Sequence, residues 1–159
     1  MSETATVIGD VVIGDNCYIG HGAILRGDYG TIVVGNGTAV EEAVVIHAPP
    51  SQRCEIGSRV TIGHGAIVHA ASIGDEATIG MGAILSIRSA IGAWSIVAEG
   101  AVVKREQVVP DEVVMAGNPA RVVRKVSDKD RETWDWGKQL YIDLAAKYLR
   151  AGMHRLPSE

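Results

Sequence analysis

An aliphatic side chain recurs every six residues along most of this chain. The vertices run Ile13, Ile19, Leu25, then Val34, Val40, Ile46, then Ile56, Ile62, Val68, and then unbroken through Ile73, Ile79, Leu85, Ile91, Val97, Val103, Val109 and Met115. A period of six matches neither the 3.6 of an α-helix nor the alternation of a half-buried strand. It predicts a parallel β-solenoid in which three hexads make one triangular coil. Each vertex points into the prism and stacks on its equivalent in the next coil. Glycine often follows (Gly14, Gly20, Gly63, Gly80), where the backbone turns with no side chain in the way. Burying one such side chain contributes roughly 1.5–3 kcal/mol, so the column can hold a chain that has no phenylalanine. A set of ordinary hairpins is the alternative, but Asn-Gly and Asp-Gly turns between alternating strands are scarce.

Two of the breaks in the rhythm are insertions. Three extra residues stand between Leu25 and Val34, around Gly27-Asp28-Tyr29, and four between Ile46 and Ile56, around Ala48-Pro49-Pro50-Ser51. Stacked hexads leave no interior room, so both insertions are expected as loops, and both follow a third vertex and overhang the same edge. Beyond Met115 the hexads end. Residues 1–120 are thus expected to form the solenoid domain, and 121–159 a linker and a C-terminal helix. Ser127 is the expected N-cap, with Asp128 and Asp130 favourable in the first turn, and Trp134, Tyr141, Leu144, Ala145 and Tyr148 recur at helical spacing. His154 falls in a tail that reads as frayed, an ordinary surface histidine.

Composition narrows the function classes. The net charge of −4, with both signs interspersed, offers no basic stripe for nucleic acid or anionic lipid. No signal-peptide layout and no membrane-length apolar run is present, so a soluble, cytoplasmic protein is expected. Cys17 and Cys54 lack paired spacing and read as reduced thiols.

The histidines carry the chemistry. His47 and His69 each follow a third vertex, which places them in one column about 4.8 Å apart, with Arg26 continuing that column one coil below. His64 lies two places beyond the second vertex Ile62, in a different column with His21 and Glu42. Two imidazoles one rung apart can share a metal. If chains pack around a three-fold axis, His64 of one can complete the pair of the next, with equivalent sites at each interface. Three solvated histidines on a repeat surface are the plain alternative.

Four stretches carry a wider resemblance: Leu25 to Gly30 (LRGDYG), Val44 to Ala48 (VVIHA), Ile62 to His69 (IGHGAIVH) and Met115 to Ala120 (MAGNPA). Through them the chain resembles the gamma-class carbonic anhydrase family, nearest its branch of phenylacetate-degradation and carnitine-operon proteins. The resemblance implies an all-β fold, a left-handed parallel β-helix of hexapeptide repeats with a C-terminal α-helix. It also implies a homotrimer with a metal at each subunit interface. His47 and His69 of one subunit and His64 of the next would hold zinc, with ferrous iron or cobalt as alternatives, and metal-bound hydroxide would convert carbon dioxide to bicarbonate. By the same resemblance Arg26 and Asp28 serve assembly and the pocket floor, and Tyr141 of the terminal helix donates to bound bicarbonate.

The chain departs from that family at several places. Glu41 stands where the prototype has a glutamine, Ala39 where it has an asparagine, and Tyr29 where it has a glutamate; the segment Ala48 to Arg53 carries no acid. Glu41 can act as a general base, but as a carboxylate it repels hydroxide and bicarbonate. Two other function classes compete. One is a coenzyme A enzyme, a thioesterase or hexapeptide acyltransferase acting on acyl-CoA; the other is a trimeric scaffold with a structural metal.

Overall fold

The computed structural model describes residues 1–69 and 71–151, so His154 lies outside the described residues. The chain forms a β-solenoid of short parallel strands followed by one helix, α1 (Asp128–Ala151). Strands at the second vertices, from Tyr18–Ile19 through Ala39–Val40, Thr61–Ile62, Thr78–Ile79 and Ile96–Val97 to Val113–Ala116, stack into one sheet. Strands at the third vertices (Val45–His47, Ile67–His69, Ile84–Leu85, Val102–Val103) make a second face. Those at the first vertices (Arg53–Ile56, Ser72–Ile73, Ala90–Ile91, Val108–Val109) make the remaining one, and the long strand Ile24–Val34 joins the two.

Every vertex except Ile13, at the solenoid's open end, is buried. A second inward layer lies two residues before the vertices and is filled by small side chains. Ala23, Val44, Ala66, Ala83 and Ala101 form one such column, all fully buried. Hydroxyls also occupy this layer: Thr38 donates to the Gly57 carbonyl at 2.7 Å and accepts from the Val60 amide at 3.1 Å, whereas the buried Ser89 Oγ has no partner. Cys54 belongs to the same layer. It sits in the strand Arg53–Ile56 rather than in a loop, and burial pushes its thiol up to about 12.

The first insertion is a bulge within a strand, where the sequence reading expected a loop. The strand Thr6–Ile13 pairs first with Ile24–Gly27 and then with Thr31–Val34, so Asp28 to Gly30 stand out of the ladder. Gly9 makes this possible: at φ 79° and opposite Gly27, any side chain there would meet the Gly27 carbonyl at 2.2 Å. The second insertion does leave the sheet, between His47 and Arg53, and its Gln52 carbonyl accepts from the Thr31 amide at 3.2 Å. The two insertions therefore share one corner.

The segment Arg121–Lys125, expected as linker, pairs antiparallel with Val113–Ala116 and closes the sheet. The helix follows at once. Ser127 caps it as expected: its Oγ accepts from the Asp130 amide at 3.3 Å, while its own amide donates to the Asp130 carboxylate at 2.8 Å. The helix lies on the second-vertex face and buries Lys138 completely among its contacts. Among the described residues no helix is long and apolar enough to cross a membrane.

Candidate metal centre

The strand ladder pairs Arg26 with His47 and His47 with His69, so the three residues form the column that the hexad register requires. The two imidazoles stack with centroids 5.1 Å apart and planes 12° from parallel. His47 Nε2 is buried and has no hydrogen-bond partner; the nearest carboxylate oxygen, of Asp28, stands 4.0 Å away. Burial lowers the His47 pKa, and the adjacent Arg26 and His69 charges lower it further, against a smaller opposing pull from Asp28. The ring is thereby kept neutral, the form that offers a lone pair to a metal. Arg26 donates to Asp28 at 3.2 Å within the same chain, closing the floor of this pocket.

His64 occupies the other end of the same face. His64 lies in the turn that precedes the strand Ile67–His69, and His69 is the last residue of that strand. Glu41 and Glu42 flank it. His64 Nδ1 lies 2.8 Å from Glu42 Oε2 and Nε2 lies 3.0 Å from Glu41 Oε2, while the His64 amide donates to Glu41 at 3.1 Å. A neutral imidazole has one N–H and cannot donate to two carboxylates; one of these contacts calls for a cation, either a proton or a metal. Glu41 is only 5% exposed. On its far side α1 presents Tyr141, whose phenol pKa is raised by burial and by hydrogen bonding to Glu41.

The sequence-predicted residues thus fall into two clusters. Arg26, Asp28, His47 and His69 gather at one edge of the third face; Glu41, His64 and Tyr141 gather at the other. Among the described residues no group of three or more His, Cys, Asp or Glu side chains within one chain is placed to hold a metal ion. The orphaned Nε2 of His47 on one edge and the doubly claimed imidazole of His64 on the other both fit a divalent cation as missing partner. Between the edges runs an apolar stripe. Ile24 and Ile67 are 36% and 42% exposed, and Val45, Ile84 and Val102 between and above them are half-buried.

Two residues at the His64 edge were not singled out as site residues from sequence. Glu42 receives a second hydrogen bond, from the Tyr18 hydroxyl at 2.5 Å, and Tyr18 packs 5.1 Å from Tyr141. Tyr18 sits directly before the vertex Ile19, a position that faces outward, and the signal available was its being an aromatic where Ala39, Thr61 and Thr78 are small.

No family model matches the chain. It is nonetheless 35% identical over 151 residues to gamma carbonic anhydrase 2, mitochondrial, of Arabidopsis thaliana, a match covering 91% of this chain and 54% of the plant protein. The chain thus spans about half the length of the plant relative. It is 36% identical over 144 residues to carnitine operon protein CaiE of Escherichia coli (strain K12), covering 91% of this chain and 74% of that one. Among solved structures, a hexapeptide transferase family protein from Anaplasma phagocytophilum superposes with a TM-score of 0.85 at 35% identity, covering 92% and 90% of the two chains. Agreement in sequence over most of the chain, on a shared solenoid with one terminal helix, places this protein in the gamma carbonic anhydrase and CaiE-like family of hexapeptide-repeat proteins.

Proposed function

We propose that this protein is a metal-dependent carbon dioxide hydratase of gamma carbonic anhydrase type, a homotrimer with one zinc site at each subunit interface. The observation that carries the reading is the buried, unpartnered Nε2 of His47, stacked on His69 at the edge of an apolar face whose opposite edge holds His64. Closing that face around a three-fold axis buries Ile24, Ile67 and Ile84 and sets one chain's His47 and His69 against its neighbour's His64. His47 and His69 from one chain and His64 from the next would hold the cation. A bound divalent metal lowers the pKa of water to about 7 and so supplies a nucleophile for carbon dioxide at neutral pH.

The chain's own residues handle the rest. Glu41 is the proton acceptor: it is buried, it reaches the Nε2 side of His64, and Tyr141 orients it. Arg26 and Asp28 hold the pocket floor beside His47. Two free thiols suit a reducing compartment, which supports a cytoplasmic protein.

The test is stopped-flow carbon dioxide hydration on metal-quantified protein, with a panel of acyl-CoA thioesters run beside it. Hydration that scales with zinc content supports the reading. Activity confined to thioesters would overturn it in favour of the second reading, coenzyme A chemistry, which rests on Ile67, Ile84 and Ile87 walling the groove beside His47 and His69 as an acyl group would require. His64→Ala should abolish metal binding and loosen the trimer together. A variant retaining full metal would refute the shared site and leave the scaffold reading.

A further inference from the structure

Met81 breaks the character of its column. Backbone hydrogen bonds stack the turns that carry His21, Glu42, His64, Met81 and Glu99 one above another, and all five side chains are polar except Met81, which is 52% exposed. The opposite margin of the third face carries Arg26, His47, His69, Ser86 and Lys104 in the same coil order. Ser86 is the smallest of these. Beside His69 it leaves a groove of about 410 Å³ walled by Ile67, Ile84 and Ile87. We propose that Met81 of one protomer fills this groove on its neighbour, a specificity-determining residue supplied across the interface that leaves room beside the metal for carbon dioxide and shuts out acyl chains. The proposal rests on the shared-site reading above and names the substrates which that site excludes.

Symmetry sets the register. A closed three-fold ring rotates its chains without shifting them along the axis, so each turn on one margin meets the neighbour's margin at the height of its own coil. His64 shares a coil with His69, Met81 with Ser86, and Glu99 with Lys104. The rotation that brings His64 between the neighbour's His47 and His69 therefore brings Met81, one strand spacing of about 4.8 Å higher, to the gap between the neighbour's His69 and Ser86. One coil further the charges agree. Glu99 and Lys104 are exposed, opposite in sign and, among the described residues, without an ion-pair partner in their own chain. The same rotation sets them against each other at every junction. An unbranched thioether suits an irregular apolar gap, so the one apolar side chain of one margin stands opposite the one small side chain of the other. The groove open in a single chain is thereby closed in the ring.

Methyl NMR on zinc-loaded rings, reassembled from chains labelled at methionine and chains labelled at isoleucine, gives the direct reading. Intermolecular contacts should join the Met81 methyl, assigned through Met81→Leu, to Ile84 and Ile87. Hydrolysis of p-nitrophenyl acetate and hexanoate supplies the second arm. Met81→Ala should keep zinc and the trimer, yet raise the hexanoate to acetate ratio of kcat/KM by at least about ten-fold, the scale on which methylenes are sorted by an apolar pocket; Met81→Leu should hold the wild-type ratio. Glu99→Lys and Lys104→Glu should each loosen the ring, and the two together should restore it, so the register stays testable if Met81→Ala assembles poorly. A zinc-bound trimer with no such methyl contacts and an unchanged ester ratio in Met81→Ala would overturn the plug and leave the shared site standing. A wild type that is monomeric or binds no zinc would overturn the shared site and the plug with it.

Discussion

Lys138 reaches from α1 into the second-vertex face and donates to Thr78 Oγ1 at 2.9 Å and to the Ala77 carbonyl at 3.2 Å, with 1% of its surface exposed. Burial lowers its pKa from 10.5 to about 8; Glu76 and Asp135 work against that shift and Arg59 reinforces it. Between about 8 and 10.5 the unfolded chain therefore binds more protons at this lysine than the folded one, and stability rises with pH across that window. Lys138→Met should flatten the rise. Thermal melts of both proteins from pH 7 to 10.5 check it, and parallel profiles would show that the lysine titrates in the fold as it does in the unfolded chain.

The apolar stripe on the third face is expected to be covered in solution. Ile67→Asp changes a side chain 42% exposed in the single chain, so it should leave the fold intact by circular dichroism. In an assembly closed on that face it strands a charge without a partner, a loss of several kcal/mol. Light scattering should then report monomers that bind no zinc. Trimers of undiminished stability would move the interface elsewhere.

Glu41→Gln removes the carboxylate beside His64 and keeps its shape. With Glu41 as proton acceptor, kcat for hydration should fall about a hundred-fold or more while KM changes little, since general acid–base groups contribute about 10²–10⁴-fold. A kcat equal to or above wild type would instead make Glu41 a brake, a carboxylate that repels the product anion.

Leu85 is a fully buried vertex stacked between Val68 and Val103. Leu85→Ala should cost about 2–5 kcal/mol in urea unfolding, because the stacked coils above and below cannot collapse into the gap. A loss under about 1 kcal/mol would mean that the column repacks freely, contrary to a ladder pinned on both sides by hydrogen bonds.

Much of this was legible in the amino-acid pattern because a solenoid converts sequence spacing directly into spatial register. Counting hexads was enough to stack His47 on His69 and to set His64 apart. The rest depended on contacts that spacing does not encode. The residues around Asp28 read as a loop, yet the strand stays paired with Thr6–Ile13 on both sides of them, and the freedom of Gly9 lets the bulge form. Arg121–Lys125 read as a connector, since nothing in five exposed residues announces an antiparallel partner at the end of a parallel array; the sheet edge at Val113–Ala116 supplies it. Lys138 lies on the same helical stripe as Trp134, Tyr141 and Tyr148, but a lysine there reads as solvent-facing until the Ala77 carbonyl is seen waiting for it. The Tyr18, Glu42 and His64 connection needed two coils and a helix to be in place before it could be read.

The placement of the imidazole pair and the lone imidazole at opposite margins of one face has a genetic corollary. A His47→Ala chain keeps a sound His64 margin, and a His64→Ala chain keeps a sound pair. Neither should work alone, yet in every mixed ring of the two one junction carries all three native imidazoles. Co-expressed defective copies would then complement each other, as two broken halves do when the break falls in different places.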